Sequence, residues 1–259
     1  MSVRAPVAKL APGERTLSAE SSQYLCRVLR LRDGERFVAF DPESRTEAEA
    51  TILEASASAA RVTVGECHAA SVVAETPVAL VYGLAKGDKV DSVVRDATEL
   101  GATRIVIART TRAVAKLDAE RAGPKVERWR RIAEQAARQC GRADPPVVLG
   151  VLDWREALAS AGAGASAGAS NEAAASDEAA AKFCLWENAT EPLAPLLRDA
   201  LARGAPIAFA IGPEGGLTET EVEEARVLGY APVSLGRFIL RTETVAAAVL
   251  GAVRILTVP

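Results

Sequence analysis

Histidine is almost absent from this chain: His68 is the single one in 259 residues. The four cysteines, Cys26, Cys67, Cys140 and Cys184, lie far apart and show no CxxC spacing. These scarcities exclude a Cys/His zinc site and a disulfide framework, so no metal is expected and the cysteines read as reduced, small hydrophobic side chains. No run reaches the ~18 apolar residues of a membrane span, and the N-terminus lacks the apolar core of a signal peptide. A soluble, cytoplasmic protein with no membrane partner is expected. A dominant charge is missing too: the net charge of −3 neither favours nor excludes a nucleic acid. One segment lacks still more. Residues 159–181 are mostly alanine, glycine and serine, without aromatic or branched aliphatic side chains. That composition buries no core face and predicts a flexible surface insertion, with some helical tendency from Asn171 to Lys182.

Apolar residues are plentiful, at 49% of the chain, enough for one large domain or two ordinary ones. Residues 1–70 predict short strands at 36–40, 46–53 and 60–65 with turns between them, the pattern of a small barrel or sandwich. A short helix at 18–30 precedes them, capped by Ser18 or Ser21, with Leu25, Val28 and Leu29 on one face. From about residue 73 the pattern changes. A strand at 77–82, a helix at 88–100 and a strand at 103–108 form a βαβ unit, which requires a parallel sheet. In that helix Val90, Val93, Val94, Ala97 and Leu100 make one apolar stripe. Further strands are expected at 147–150, 182–186, 206–210 and 231–235, and helices at 193–203, 218–228 and 245–256. The last helix is apolar on nearly all sides, which predicts burial inside the fold or in a subunit interface.

Charge is unevenly placed. Between 109 and 142 ten basic residues face four acidic ones, a local +6 in an acidic chain. A helix from about Pro124 to Gln139 carries much of it, with Trp129, Ile132, Ala133 and Ala136 turned inward. Such an excess is the footprint of a polyanionic partner, although i,i+4 pairs such as Glu127 with Arg131 absorb part of it. Arg27, Arg30 and Arg32 form a second cluster near the N-terminus, readable as RNA contacts or as solvated surface.

Three strands run into unusual loops: Leu185-Trp186-Glu187-Asn188, Ile211-Gly212-Pro213-Glu214-Gly215-Gly216-Leu217, and Gly236 to Thr244. After the second, Thr218 and Glu221 have the spacing of a capping box. A glycine loop there is either a plain tight turn or a place where a ligand approaches the backbone. In a parallel α/β sheet ligands bind at the carboxyl ends of strands, where all three loops fall. A phosphate would be repelled by Glu214. The apolar Phe238-Ile239-Leu240 offers a seat to a flat, adenine-like ring, with Arg241, Thr242 and Glu243 as polar recognition next to it.

The segments GPEGGLTETEVEEARVLG and VSLGRFILRTETVAAAVLGAVRIL, with KGDKVDSVVRDATELGATRIVIART, RWRRIAEQAARQCGR and YLCRVLRLRDGERF, resemble SPOUT-class methyltransferases, and among these the RsmE-type enzymes that methylate N3 of a uridine in 16S ribosomal RNA. The resemblance spans most of the chain outside the 159–181 insertion. It implies an α/β domain over about 73–259 with a parallel sheet and a C-terminal trefoil knot, plus a PUA-like RNA-binding β-barrel over about 1–70. It implies S-adenosylmethionine as cofactor, held by Leu185, Trp186 and Glu187, by Ile211, Gly212, Pro213, Glu214, Gly215 and Gly216, and by Leu235, Gly236, Phe238, Ile239, Leu240, Thr242 and Thr244. It further implies a homodimer acting on the small ribosomal subunit. Arg4, Arg27, Arg30, Arg32, Arg112, Lys116, Arg138 and Arg142 are the expected RNA contacts. Where the family commonly carries a histidine, this chain has Gln23-Tyr24. The methyl donor is an activated sulfonium, so no metal or nucleophilic side chain is needed. N3 of uracil is a weakly acidic imide, which requires help with its proton and its anion. Arg241 is the expected anion stabiliser and Glu243 the expected base or ring-orienting group. Two other readings stay open: ribose 2′-O-methylation of tRNA or rRNA, and an RNA-binding assembly factor without catalysis.

Overall fold

The computed structural model describes residues 3–113, 119–164 and 179–257, with the side chains of 119–121 and 162–164 outside the description. The chain separates into two compact units. The first comprises Met1–Val73 together with Ala137–Pro145, and the second Ala74–Ala136 together with Pro146–Pro259. A single cut near residue 70 does not foresee the return of 137–145 to the first unit. There the Ala143 N–H bonds to the Val72 carbonyl at 2.8 Å, and Ala143 packs with Phe40 and Ala70.

The first unit contains strands β1 (Arg4–Pro6), β2 (Gly13–Thr16), β3 (Arg36–Asp41), β4 (Thr46–Glu54), β5 (Arg61–Val64) and β6 (His68–Ala69). Their order is β1-β3-β4-β5-β2, with β6 also on β4; only the β1–β3 pair is parallel. Three of these strands, β1, β2 and β6, are too short to show an alternating pattern in the sequence. Helix α1 (Ala19–Gln23) is capped by Ser18, whose Oγ accepts the Ser21 N–H at 3.2 Å. It runs into a π-turn, Tyr24–Val28. The wider turn breaks the expected shared face: Leu25 is buried in the core, but Val28 is 63% exposed.

The second unit holds β7 (Val78–Gly83), α2 (Lys89–Glu99), β8 (Arg104–Arg109), α3 (Ala119–Cys140, its last turn in the first unit), β9 (Val147–Asp153), α4 (Trp154–Gly164), β10 (Ala181–Leu185), α5 (Leu193–Ala202), β11 (Ile207–Ile211), α6 (Glu219–Val227), β12 (Ala231–Val233) and α7 (Thr242–Thr257). Its sheet has the order β12-β10-β11-β7-β8-β9, and every pairing is parallel. Strand residues alternate between two apolar layers. Leu80, Tyr82, Ile105 and Phe209 pack toward α2, α5 and α7, whereas Val81, Val106 and Ala210 pack toward α4 and α6. Both faces are therefore covered, which is why these strands read as continuous apolar runs.

Two expectations fail here. Residues 159–164 are not part of a featureless insertion but the end of α4, and Ala161 is fully buried under the sheet. A small side chain lets a helix sit close to strands, so composition alone misjudged it. The expected helical tendency of 171–182 falls largely outside the described residues, and Ala181 and Lys182 are strand. The final helix also starts earlier than its apolar run, at Thr242 rather than Val245. Among the described residues no helix is long and apolar enough to cross a membrane.

Candidate active site

Adjacent strands β12, β10 and β11 end on the same edge of the sheet, and the loops that leave them enclose a pocket of about 280 Å³. That is near the lower limit of ligand pockets, roughly 300–1,000 Å³. From the β10 loop come Leu185, Trp186 and Glu187. From the β11 loop come Ile211, Gly212, Pro213, Glu214, Gly215, Gly216 and Leu217. The third wall is Val233 to Leu240 with Thr242 and Val245. The structure thus brings together every residue assigned to the cofactor except Thr244, which is exposed on the first turn of α7. Sequence reasoning missed Leu217, Val233, Ser234, Arg237 and Val245 on this lining.

Two glycines set the shape of the loop. A side chain on Gly83, at the end of β7, would meet the backbone nitrogen of Pro213 at 2.6 Å, so the loop lies directly on the strand end. Gly216 has φ +70° and its N–H closes a turn onto the Pro213 carbonyl at 2.9 Å. A Cβ there would sit 2.7 Å from Glu187 Oε1, so the Glu187 carboxylate lies over that glycine. Helix α6 begins with the expected capping box: Thr218 Oγ1 accepts the Glu221 N–H at 3.2 Å, and Glu221 Oε2 accepts the Thr218 N–H at 2.8 Å. Glu221 is buried and also accepts the Thr111 N–H at 2.7 Å, which ties the loop after β8 to this corner.

Among the described residues the cation beside Glu214 is a lysine. Glu214 Oε1 accepts the Lys86 N–H at 3.2 Å and lies 3.3 Å from Lys89 Nζ. Lys89 Nζ is also 3.5 Å from Glu243 Oε2. Burial pushes both carboxyls up, but their own backbone N–H groups and Lys89 outweigh it. The Lys86 N–H adds to this at Glu214 and the Thr242 hydroxyl at Glu243, and both carboxyls are held below the ordinary carboxylate value. The Tyr82 hydroxyl bonds Thr242 Oγ1 at 2.8 Å. Burial, with the Glu243 and Glu214 charges behind it and the Thr242 bond opposing, pushes the Tyr82 phenol up to about 12. Arg241 is exposed and, among the described residues, pairs with neither glutamate, because Lys89 takes both. Lys89 was missed by the sequence reading. One signal existed: a lysine opening a helix sits at the positive end of the macrodipole and needs nearby anions.

The expected RNA contacts divide. Arg27, Arg30 and Arg32 are exposed. Arg138 stacks over the Tyr24 ring at 5.3 Å and lies 3.9 Å from Glu20. Arg4 and Arg142 do not fit the expectation. Arg4 is covered, 2.5 Å from Glu47 and 5.5 Å above the Phe40 ring, and Arg142 is 5% exposed in a pair with Asp144 at 3.0 Å. Both guanidiniums are engaged by buried carboxylates within the first unit. Arg112 Nη1 donates to the carbonyls of Gly215 and Leu217 at 3.3 and 3.2 Å, so it braces the glycine loop. Lys116 lies outside the described residues.

With this geometry in place, comparison with known proteins is decisive. Residues 73–254 match the RNA methyltransferase domain family, and residues 17–65 match the RNA methyltransferase PUA domain family. The chain belongs to the RNA methyltransferase family. It is 33% identical over 241 residues to ribosomal RNA small subunit methyltransferase E of Mycobacterium bovis, covering 90% of this chain and 83% of that one. It is 28% identical to the Bacillus subtilis protein of the same name, over 92% and 88% of the two chains. Among solved structures, ribosomal RNA small subunit methyltransferase E of Neisseria gonorrhoeae bound to S-adenosyl methionine superposes with a TM-score of 0.80 at 25% identity, covering 99% and 98%. The methyltransferase domain of this chain therefore carries the α/β fold with its parallel sheet, and the N-terminal part is of PUA type.

Proposed function

We propose that this RNA methyltransferase transfers the methyl group of S-adenosylmethionine to N3 of a uridine in 16S ribosomal RNA of the small subunit, in the cytoplasm and as a homodimer. The observation that carries the reading is the pocket at the ends of β10, β11 and β12, in a chain that aligns nearly end to end with small-subunit rRNA methyltransferases. The lining suits the cofactor. Glu187 and Glu214 supply negative charge for a cationic ligand, the glycines let it approach the backbone, and Leu235, Phe238, Ile239 and Leu240 offer an apolar wall to a flat ring. The C-terminal loops are read as a trefoil knot.

S-adenosylmethionine, when bound, supplies a methyl group already activated on a sulfonium. The protein's own task is to hold an unpaired or extruded uridine in line with it and to manage the imide proton. To the exposed Arg241 guanidinium, which among the described residues pairs with neither Glu214 nor Glu243, we assign the stabilising of the anion left when N3 gives its proton to solvent water. Against its burial, the Glu243 carboxyl is held below the ordinary carboxylate value by its own backbone N–H, by Lys89 and by the Thr242 hydroxyl. A carboxylate stabilised as an anion is a strong hydrogen-bond acceptor but a weak base, so the orienting role is the better of its two. Arg27, Arg30, Arg32 and Arg138 in the first unit are the RNA-facing cations.

Nucleoside mass analysis of 16S RNA from a strain lacking the gene tests the reaction. Loss of N3-methyluridine supports it, whereas an unchanged level sinks it, and loss of a 2′-O-methyl nucleoside would redirect it to the ribose. Titration calorimetry without an S-adenosylmethionine signal would favour a non-catalytic assembly factor. For the dimer, Phe238 and Ile239 are 87% and 91% exposed, an apolar pair left uncovered among the described residues. Phe238→Asp is expected to convert the sedimenting species from dimer to monomer.

A further inference from the structure

We propose that Lys89 is a positioning residue that clasps two walls of the cofactor pocket together, and that this clasp sets the affinity for S-adenosylmethionine. The inference rests on the methyltransferase reading. Glu214 belongs to the β11 wall, and Glu243 follows Thr242 of the third wall in the first turn of α7. Lys89 Nζ reaches both carboxylates, at 3.3 and 3.5 Å. Each wall is also fixed to β7 or to the loop after it. The Lys86 N–H holds Glu214, and the Tyr82 hydroxyl holds Thr242 at 2.8 Å. Lys89 closes this ring of contacts.

The clasp is partly shielded, with side-chain exposures of 36% for Lys89, 28% for Glu214 and 26% for Glu243. Such a network holds geometry better than an isolated surface pair. A cation at the N-terminus of α2 opposes the helix dipole, and although Asp88 and Asp91 lie beside it in sequence, the carboxylates its Nζ meets are those of Glu214 and Glu243. Without Lys89 the carboxylates repel each other, and the two walls keep only their separate bonds to Lys86 and Tyr82.

Charge and geometry predict opposite signs, which makes the idea testable. Removing a cation beside the pocket would, by charge alone, tighten binding of the sulfonium ligand more than that of its product S-adenosylhomocysteine, a net-neutral zwitterion without the sulfonium charge. Loss of positioning weakens both ligands alike. Calorimetry on the full-length protein is expected to show Lys89→Met weakening both ligands roughly tenfold, with Lys89→Arg restoring most of the loss. Tighter S-adenosylmethionine binding, unchanged binding, weakening of one ligand alone, or no recovery with arginine would each overturn the clasp. Should Lys89→Met fail to fold, Glu243→Gln removes one arm and must weaken both ligands severalfold. Wild-type protein that binds neither ligand would overturn the methyltransferase reading, and the clasp with it.

Discussion

Gly216 shows how much a single position decides. Its φ of +70° is a conformation that costs an L-residue about 1–2 kcal/mol, and an added Cβ would collide with Glu187. Gly216→Ala is therefore expected to lower the unfolding free energy by about that amount and to displace Glu187 from the pocket. Denaturant melts check the first effect, and a weaker calorimetric signal for S-adenosylmethionine checks the second. This residue was legible in the sequence because a backbone need leaves a mark in the residue type. The arginines were not legible in the same way. Arg4 and Arg142 look like free cations in a list of charges, yet Glu47 and Asp144 occupy them. Glu47 is 43 positions from Arg4, and no local pattern announces it. Lys89 escaped for the same reason, since its two partners arrive from the far end of the chain.

Among the elements, α6 is the best case of local chemistry writing itself into the sequence. Thr218 and Glu221 form the reciprocal cap that their spacing predicts. The spacing did not show that Glu221 is buried and takes a third bond from the Thr111 N–H. Glu221→Ala removes the acceptor of the half-buried Thr218 N–H and of the exposed Thr111 N–H, and urea unfolding is expected to report a loss of about 1–2 kcal/mol, the upper range of a cap. Where elements depart from their predicted form, the cause is tertiary. The π-turn after α1 rotates Val28 into solvent, and the sheet draws the alanines of α4 against it because they are small. Composition recognises branched side chains as core but reads alanine as neutral, so Ala157 and Ala161 gave no signal.

Across the molecule, buried phenols supply a measurable pH signature. Burial raises both Tyr82 and Tyr230, Tyr82 to about 12. A phenol that holds its proton more tightly when folded stabilises the protein fully below the unfolded value near 10, and this contribution is lost as pH rises through the folded value. Between pH 10 and 11, phenolate absorbance is expected to be lower in the native protein than in the urea-unfolded chain, and stability is expected to fall across that alkaline range. Equal absorbance in the two states would refute the burial of these rings. The two-part organisation and the parallel sheet were readable from periodicity and from the βαβ rhythm. The strand order was not, because neighbours in a parallel sheet are chosen by packing rather than by sequence adjacency.

That order has a consequence for how the protein is made. β7 lies inside the sheet between β8 and β11. It meets β8 soon after synthesis, but Val78 pairs with Ile207, about 130 residues later in the chain, a separation that slows folding. During translation one hydrogen-bonding edge of an entirely apolar strand is left open until β11 emerges. The pocket shares this timetable, since its three walls come from the last third of the chain. A nascent chain arrested before β11 would carry an adhesive edge and no binding site, a hazard that ends only when the final strands leave the ribosome.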